Sequence, residues 1–137
     1  MHKVIQPDGW KDPKGYSNGI LADGARLYIG GQIGWTRDQV FETTDFIGQM
    51  EQALRNIVDV VEAAGGKATD IVRLTWYVVD KKEYVARQKE VGAAYRKVMG
   101  KHYPAMTMVV VSALLEDAAL IEIEATAAIC PHSKDLA

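Results

Sequence analysis

The chain has a single cysteine, Cys130, so it cannot close an internal disulfide, and a lone thiol is a poor metal site. It also lacks any long apolar run. The longest mostly apolar stretch, Ala105 to Leu115, falls well short of the roughly 18 residues a membrane-spanning helix needs. The first residues, Met1-His2-Lys3-Val4-Ile5-Gln6-Pro7-Asp8, contain no apolar signal core. Basic charge is not in surplus: 16 Lys and Arg stand against 18 Asp and Glu, a formal net charge of −2, which argues against a surface built to hold a phosphate backbone. There is no P-loop, no GxGxxG, no Gly-x-Ser-x-Gly elbow and no His-Glu-x-x-His. His2, His102 and His132 are scattered without ligand spacing. Together these absences predict a cytoplasmic protein with no metal, no cofactor, no membrane segment and no nucleic-acid partner, whose ligand is a small organic molecule.

What is present is enough for a core. Apolar residues make up 48% of 137 residues and charged residues 25%, and no linker or repeat divides the chain, so one α+β domain over residues 1–137 is expected. A short strand at Lys3–Gln6 and another near Ile20–Ala22 precede the turn signal Asp23-Gly24. Arg26–Ile33 then reads as a strand carrying Gly30-Gly31, a pair that marks either a bulge or a close approach. From Thr44 to Ala64, Phe46, Met50, Leu54, Ile57, Val58 and Val61 recur at helical spacing; Thr43, Thr44 and Asp45 offer caps, and Gly65-Gly66 stops the helix. Asp70–Val79 is rich in β-branched and aromatic residues. Asp80-Lys81-Lys82-Glu83 resembles a capping box opening a second helix to about Met99, with Tyr84, Val91, Tyr95 and Val98 on one face. Strands at about Ala105–Ser112 and Leu120–Ile129 complete the order β-β-β-α-β-α-β-β, a mixed sheet with two helices on one face. Trp76 is expected in the core and Trp10 as a loop anchor.

Two strands, Ile71–Val79 and Met106–Val111, are apolar on both faces, and a strand of that kind is buried on both. Two helices cover one face of a sheet and nothing else in the chain is available for the other. A homo-oligomer is therefore expected, the alternative being a sheet that exposes some Thr and Val. The last strand, Leu120-Ile121-Glu122-Ile123-Glu124-Ala125-Thr126-Ala127, alternates so that Glu122, Glu124 and Thr126 share one side. Its spacing fits a plain wet face, or a carboxyl group at a cleft able to hold a water or move a proton.

Gly15-Tyr16-Ser17-Asn18-Gly19, Ile29-Gly30-Gly31-Gln32-Ile33, Tyr103-Pro104-Ala105 and Ile121-Glu122-Ile123-Glu124-Ala125 occur in that order, with Ala63-Ala64-Gly65 and Asp70-Ile71-Val72 between. This pattern, covering nearly the whole chain, resembles the Rid family of enamine/imine deaminases, also called YjgF or L-PSP. The resemblance implies a chorismate-mutase-like fold and a homotrimer whose sheets line a central barrel, with a small-molecule ligand held in clefts at the subunit interfaces. It implies hydrolysis of a reactive enamine or imine to a 2-oxo acid and ammonia. Glu122 would hold or activate the water, Tyr16 would close the pocket, and the backbone from Gly31 to Ile33 would line it. Tyr16 as a packing aromatic and Gly30-Gly31 as a simple bulge stay beside these roles.

The chain departs from the resemblance directly after Pro104-Ala105. Deaminating members carry there an arginine that grips the substrate carboxylate as a bidentate fork; here the residue is Met106, which has no cationic donor and fills apolar space. Either the substrate differs, or another cation such as Arg73 or Arg26 substitutes, or the cleft binds a small molecule without turning it over. Trp35, beside the presumed cleft, together with Met106 suggests a more apolar ligand; a subunit contact is the other reading for Trp35. A ribonuclease reading, also attached to the family name, fits poorly with the acidic balance and the lack of a basic-aromatic stripe.

Overall fold

The computed structural model describes residues 2–130; His132 lies outside the described residues. Strand β1 (Lys3–Ile5) pairs antiparallel with β2 (Gly19–Leu21) in a two-stranded sheet of their own. The main sheet contains β3 (Ala25–Ile33), β4 (Ile71–Val78), β5 (Ala105–Val110) and β6 (Ile121–Ile129), in the order β3-β6-β4-β5. β6 runs antiparallel to both neighbours and β4 runs parallel to β5, so the sheet is mixed.

The first long helix, α1 (Phe46–Ala63), starts at Asp45, whose side chain accepts from Gly48 N. Its stripe of Phe46, Met50, Leu54, Ile57 and Val61 is buried against Ile29, Leu74, Trp76, Ile121 and Ile123 of the sheet. The expected second helix is two. α2 (Lys81–Ala86) is capped by Asp80, which accepts from Lys82 N and Glu83 N, and α3 (Gln88–Met99) follows after a break at Arg87. The described residues therefore form three α-helices where the sequence pattern predicts two. The break coincides with a charge cluster. Arg87 leaves helical geometry (φ −123°, ψ 31°), and its guanidinium reaches Asp45, Glu83 and Glu90 together. Glu83, which a capping box would turn back toward Asp80, is drawn to Arg87 instead. α2 buries no residue, whereas α3 buries Val91, Ala94, Tyr95 and Met99.

Alternation along β4 and β6 divides the sheet. Leu74, Trp76 and Val78, with Ile121, Ile123 and Ala125, are buried under the helices, while Arg73, Thr75, Tyr77, Glu122, Glu124 and Thr126 lie on the other face. That face has no cover among the described residues: Tyr28 is 74% and Val109 41% exposed. Trp10 is 60% exposed and so does not anchor its loop within the described residues; Gln6 ties that loop by donating to the carbonyls of Trp10 and Lys11. His2 and His102 each place a ring nitrogen 2.7 Å from a strand carbonyl, of Ala128 and Ile71 respectively. Among the described residues no helix is long and apolar enough to cross a membrane.

One buried amide fastens the helix layer to the approach of β6. Gln49 is fully buried; its Nε2 donates to the carbonyls of Thr43 and Ala118, and its Oε1 accepts from Leu120 N at 2.8 Å. Gln49→Leu strips all three partners, so we expect a loss of about 2 kcal/mol in denaturant titration; a loss below about 0.5 kcal/mol contradicts this role. The Arg87 cluster behaves differently. The hydrogen bond from Arg87 holds the Asp45 carboxyl below the usual carboxylate range, so its stabilisation is complete above about pH 4 and is lost as pH falls through the lowered native value. Arg87→Ala is expected to lower Tm at neutral pH in low salt, by less in about 1 M salt and by less again in acid. A Tm deficit independent of both salt and pH indicates lost packing instead.

Candidate functional site

The expected site residues fall into two groups. In the first, β3 bulges at Gly30-Gly31: Ile29 pairs with Ala125, and the ladder resumes with Gln32 opposite Ile123 and Ile33 opposite Glu122. The bulge and the close approach are both present, since a Cβ at Gly31 would overlap the Glu122 carboxyl and lie 2.7 Å from its Cδ. Gly30 has open space at the equivalent position. Thus Gly31, Ile33 and Glu122 meet at one end of the β3–β6 pair.

The two carboxylates of β6 differ in their engagements. The Tyr77 hydroxyl donates to Glu124 Oε1 at 2.6 Å, and this bond raises the Tyr77 pKa, keeping the phenol protonated. Glu122, half-buried on the same face, accepts no hydrogen bond from any described residue. Of the pair, Glu122 is the acceptor left available for a water or a ligand.

The second group lies across the sheet. Ser17 N donates to the carbonyl of Pro104 at 3.0 Å, the Ser17 hydroxyl donates to that of Tyr103, and Ser17 bridges Ala105. This stitching holds the Gly15–Ser17 segment along the start of β5, bringing Tyr16 beside Met106. Both line a cleft of about 510 Å³ with Trp76, Tyr84, Tyr95, Tyr103 and Met108. Met106 pairs with Leu74, so it points to the helix side of the sheet, whereas Glu122 pairs with Tyr77 on the open side. β4 also stands between β6 and β5. Within one chain, Tyr16 and Met106 are therefore not brought together with Gly31, Ile33 and Glu122.

Trp35 joins neither group. It packs on Phe41, with ring centroids 5.8 Å apart, and borders a separate hollow with Asn56, Asp59 and Val60; Asn56 Nδ2 donates to the carbonyls of Ile33 and Trp35. Neither arginine proposed from the sequence lies beside Met106. Arg73 lines a hollow on the open face with Tyr28, Thr75 and Glu124, because it alternates away from Leu74, and Arg26 is exposed on β3 opposite Ala128. The cations that line the Met106 cleft are Lys14 and Arg96. Sequence reasoning missed Arg96, although its spacing of four and eight residues from Gly92 and Gln88, which also line the cleft, was a usable signal. Among the described residues no cluster of three or more His, Cys, Asp or Glu side chains is arranged to hold a metal ion.

Comparison with known proteins places these features in context. The family model described as Endoribonuclease L-PSP matches residues 11–129. The chain is 38% identical to a RutC family protein of Pyrococcus horikoshii, over 93% of this chain and 98% of the relative. It is 35% identical to the 2-iminobutanoate/2-iminopropanoate deaminase of Salmonella typhimurium, over 76% of this chain and 80% of that enzyme. Among solved structures, it is similar to the Rid-family protein YyfB from Yersinia pestis, a protein of unknown function, with a TM-score of 0.83 and 31% identity over 93% of this chain and 98% of that one.

The contact at the bulge makes a specific expectation. Gly31→Ala should displace the Glu122 side chain in a crystal structure and cost about 1–2 kcal/mol, while Gly30→Ala should stay within about 0.5 kcal/mol of the parent. Equal effects at the two glycines would show that Glu122 does not rest against Gly31.

Proposed function

This chain belongs to the Rid, or L-PSP, family, and on that premise we propose that it hydrolyses a small reactive imine, releasing ammonia, at seams between copies of itself. Relatives named as 2-iminobutanoate/2-iminopropanoate deaminases support imine deamination at the level of the family. The observation that carries the reading here is the Glu122 carboxylate, half-buried, pressed against Gly31 and without a hydrogen-bond partner among the described residues.

The chemistry asks little of the protein. An enamine tautomerises to an imine as its β-carbon gains a proton and its nitrogen loses one. Water then adds to the C=N carbon as Glu122 takes one of its protons and solvent protonates the nitrogen, giving a neutral carbinolamine. Glu122 then returns its proton to the nitrogen, the C–N bond breaks, ammonia leaves, and the carbonyl forms as the hydroxyl proton passes to solvent. Gly31, lacking a Cβ, leaves the carboxylate room beside the bulge, and Ile33 closes its strand end. Glu124, held by Tyr77, stays out of the proton transfer.

The division of site residues between the faces of the sheet supports an assembled site. The proposal places the Gly31–Ile33–Glu122 group of one copy against the Tyr16–Met106 group of another, in a homotrimer whose open sheet faces line a central barrel. The exposed Tyr28 and Val109 are then covered by sister chains. Met106, in place of a carboxylate-gripping arginine, moves substrate preference away from the smallest imino acids. The single thiol of Cys130 agrees with a cytoplasmic setting.

Glu122→Gln is the decisive variant. With 2-iminopropanoate and bulkier imines generated in situ, ammonia release should fall by about 10²- to 10⁴-fold with the melting temperature little changed. Light scattering should give a mass three times that of the chain. A Glu122→Gln protein with full turnover, or a fully active lone protomer, overturns the mechanism. Ligand-dependent thermal stabilisation of the parent, with no ammonia from any imine, replaces it with a non-catalytic binder.

A further inference from the structure

The cleft beside Met106 concentrates one kind of surface. It is lined by five of the eleven aromatic residues in the chain (two Phe, three Trp, six Tyr): Tyr16, Trp76, Tyr84, Tyr95 and Tyr103. Three of them form a continuous stack. The Trp76 and Tyr95 rings are 6.2 Å apart and tilted by 26°, and those of Tyr95 and Tyr103 are 5.4 Å apart and tilted by 10°. The Tyr95 hydroxyl donates to the carbonyl of His102 at 2.6 Å, and burial pushes its pKa up, so the phenol stays neutral and fixed. This is a rigid, flat wall, and Met106 and Met108 add polarizable sulfur to it.

The charge of the cleft is equally one-sided. Lys14 and Arg96 line it, and no aspartate or glutamate does. Neither cation has a carboxylate within ion-pair distance among the described residues, in a chain whose net charge is negative. Arg96 lies back along α3 over Gly92: a Cβ there would come 3.2 Å from its Nη1. The glycine thus leaves the guanidinium room at the cleft wall. Two unneutralised cations and an aromatic wall share one ligand chemistry: a flat apolar group bearing an anion.

We propose that this cleft selects a 2-oxo or 2-imino acid with an aromatic side chain, Arg96 gripping the carboxylate and Tyr103, backed by the buried Tyr95 and Trp76, receiving the ring. The volume agrees, because about 510 Å³ lies within the range of about 300–1,000 Å³ common for small-molecule sites and is far more than a three-carbon acid fills. The proposal rests on the deaminase reading only in taking the bound acid for a substrate or product. The binding claim stands by itself.

The test is calorimetric titration of the assembled protein with phenylpyruvate and with pyruvate, which are stable and need no turnover. Phenylpyruvate should bind at least about tenfold tighter than pyruvate, Arg96→Gln should weaken it by about 10- to 100-fold, and Arg96→Lys should restore only part of the loss. Arg96 is exposed on its helix, so thermal melts should show both variants folded. Glu122→Gln should retain the phenylpyruvate affinity while losing ammonia release, which separates the two readings. Equal affinity for the two acids, or affinity indifferent to Arg96→Gln, overturns the proposal even if small imines are deaminated. Phenylpyruvate binding that depends on Arg96, without ammonia from any imine, upholds it and removes the catalytic reading instead.

Discussion

Everything in this molecule follows from a sheet whose two faces receive different treatment. The alternation of β4 and β6 commits Leu74, Trp76, Val78, Ile121 and Ile123 to the helices, and the same alternation commits Arg73, Tyr77, Glu122 and Glu124 to the opposite side. Side chains in a strand have a period of two, so neither set can be moved without moving the other. Burying the first set under α1 and α3 supplies the core. Presenting the second set supplies a polar face with carboxylates at strand positions, which are held more rigidly than loop positions.

That division also explains why the candidate site is split. Ser17 fastens the Tyr16 segment to the start of β5 on the helix side, whereas the bulge at Gly30-Gly31 delivers its contact to Glu122 on the open side. The chemistry proposed for Glu122 and the recognition surface proposed around Met106 lie in separate places in one chain. An association that unites them couples assembly to activity, and the exposed apolar residues of the open face supply a physical reason for association.

Several features were legible before any coordinates. The stripe of α1, the alternation of β6 and the glycine pair in β3 are periodic or local signals, and each element lies within a few residues of its expected bounds. Other features were not. The break at Arg87 coincides with a guanidinium meeting Asp45 of a different helix, a contact 42 residues apart in sequence. That Arg96, and neither Arg73 nor Arg26, lines the Met106 cleft depends on which face of which element borders it. Trp35 looked close to the site in sequence, yet the turn after β3 carries it toward Phe41 and Asn56.

By itself the sequence determined the elements, the buried face of each and the available chemistry, because periodicity and residue type act locally. Tertiary structure decided which of those chemistries meet: that among the described residues Glu122 is left without a partner while Glu124 is held by Tyr77, and that Met106 faces an aromatic, cationic cleft rather than that carboxylate. The reason is geometric. Strand order and register are settled by pairings between distant segments, and only those pairings fix which side chains share a face, a wall or a proton.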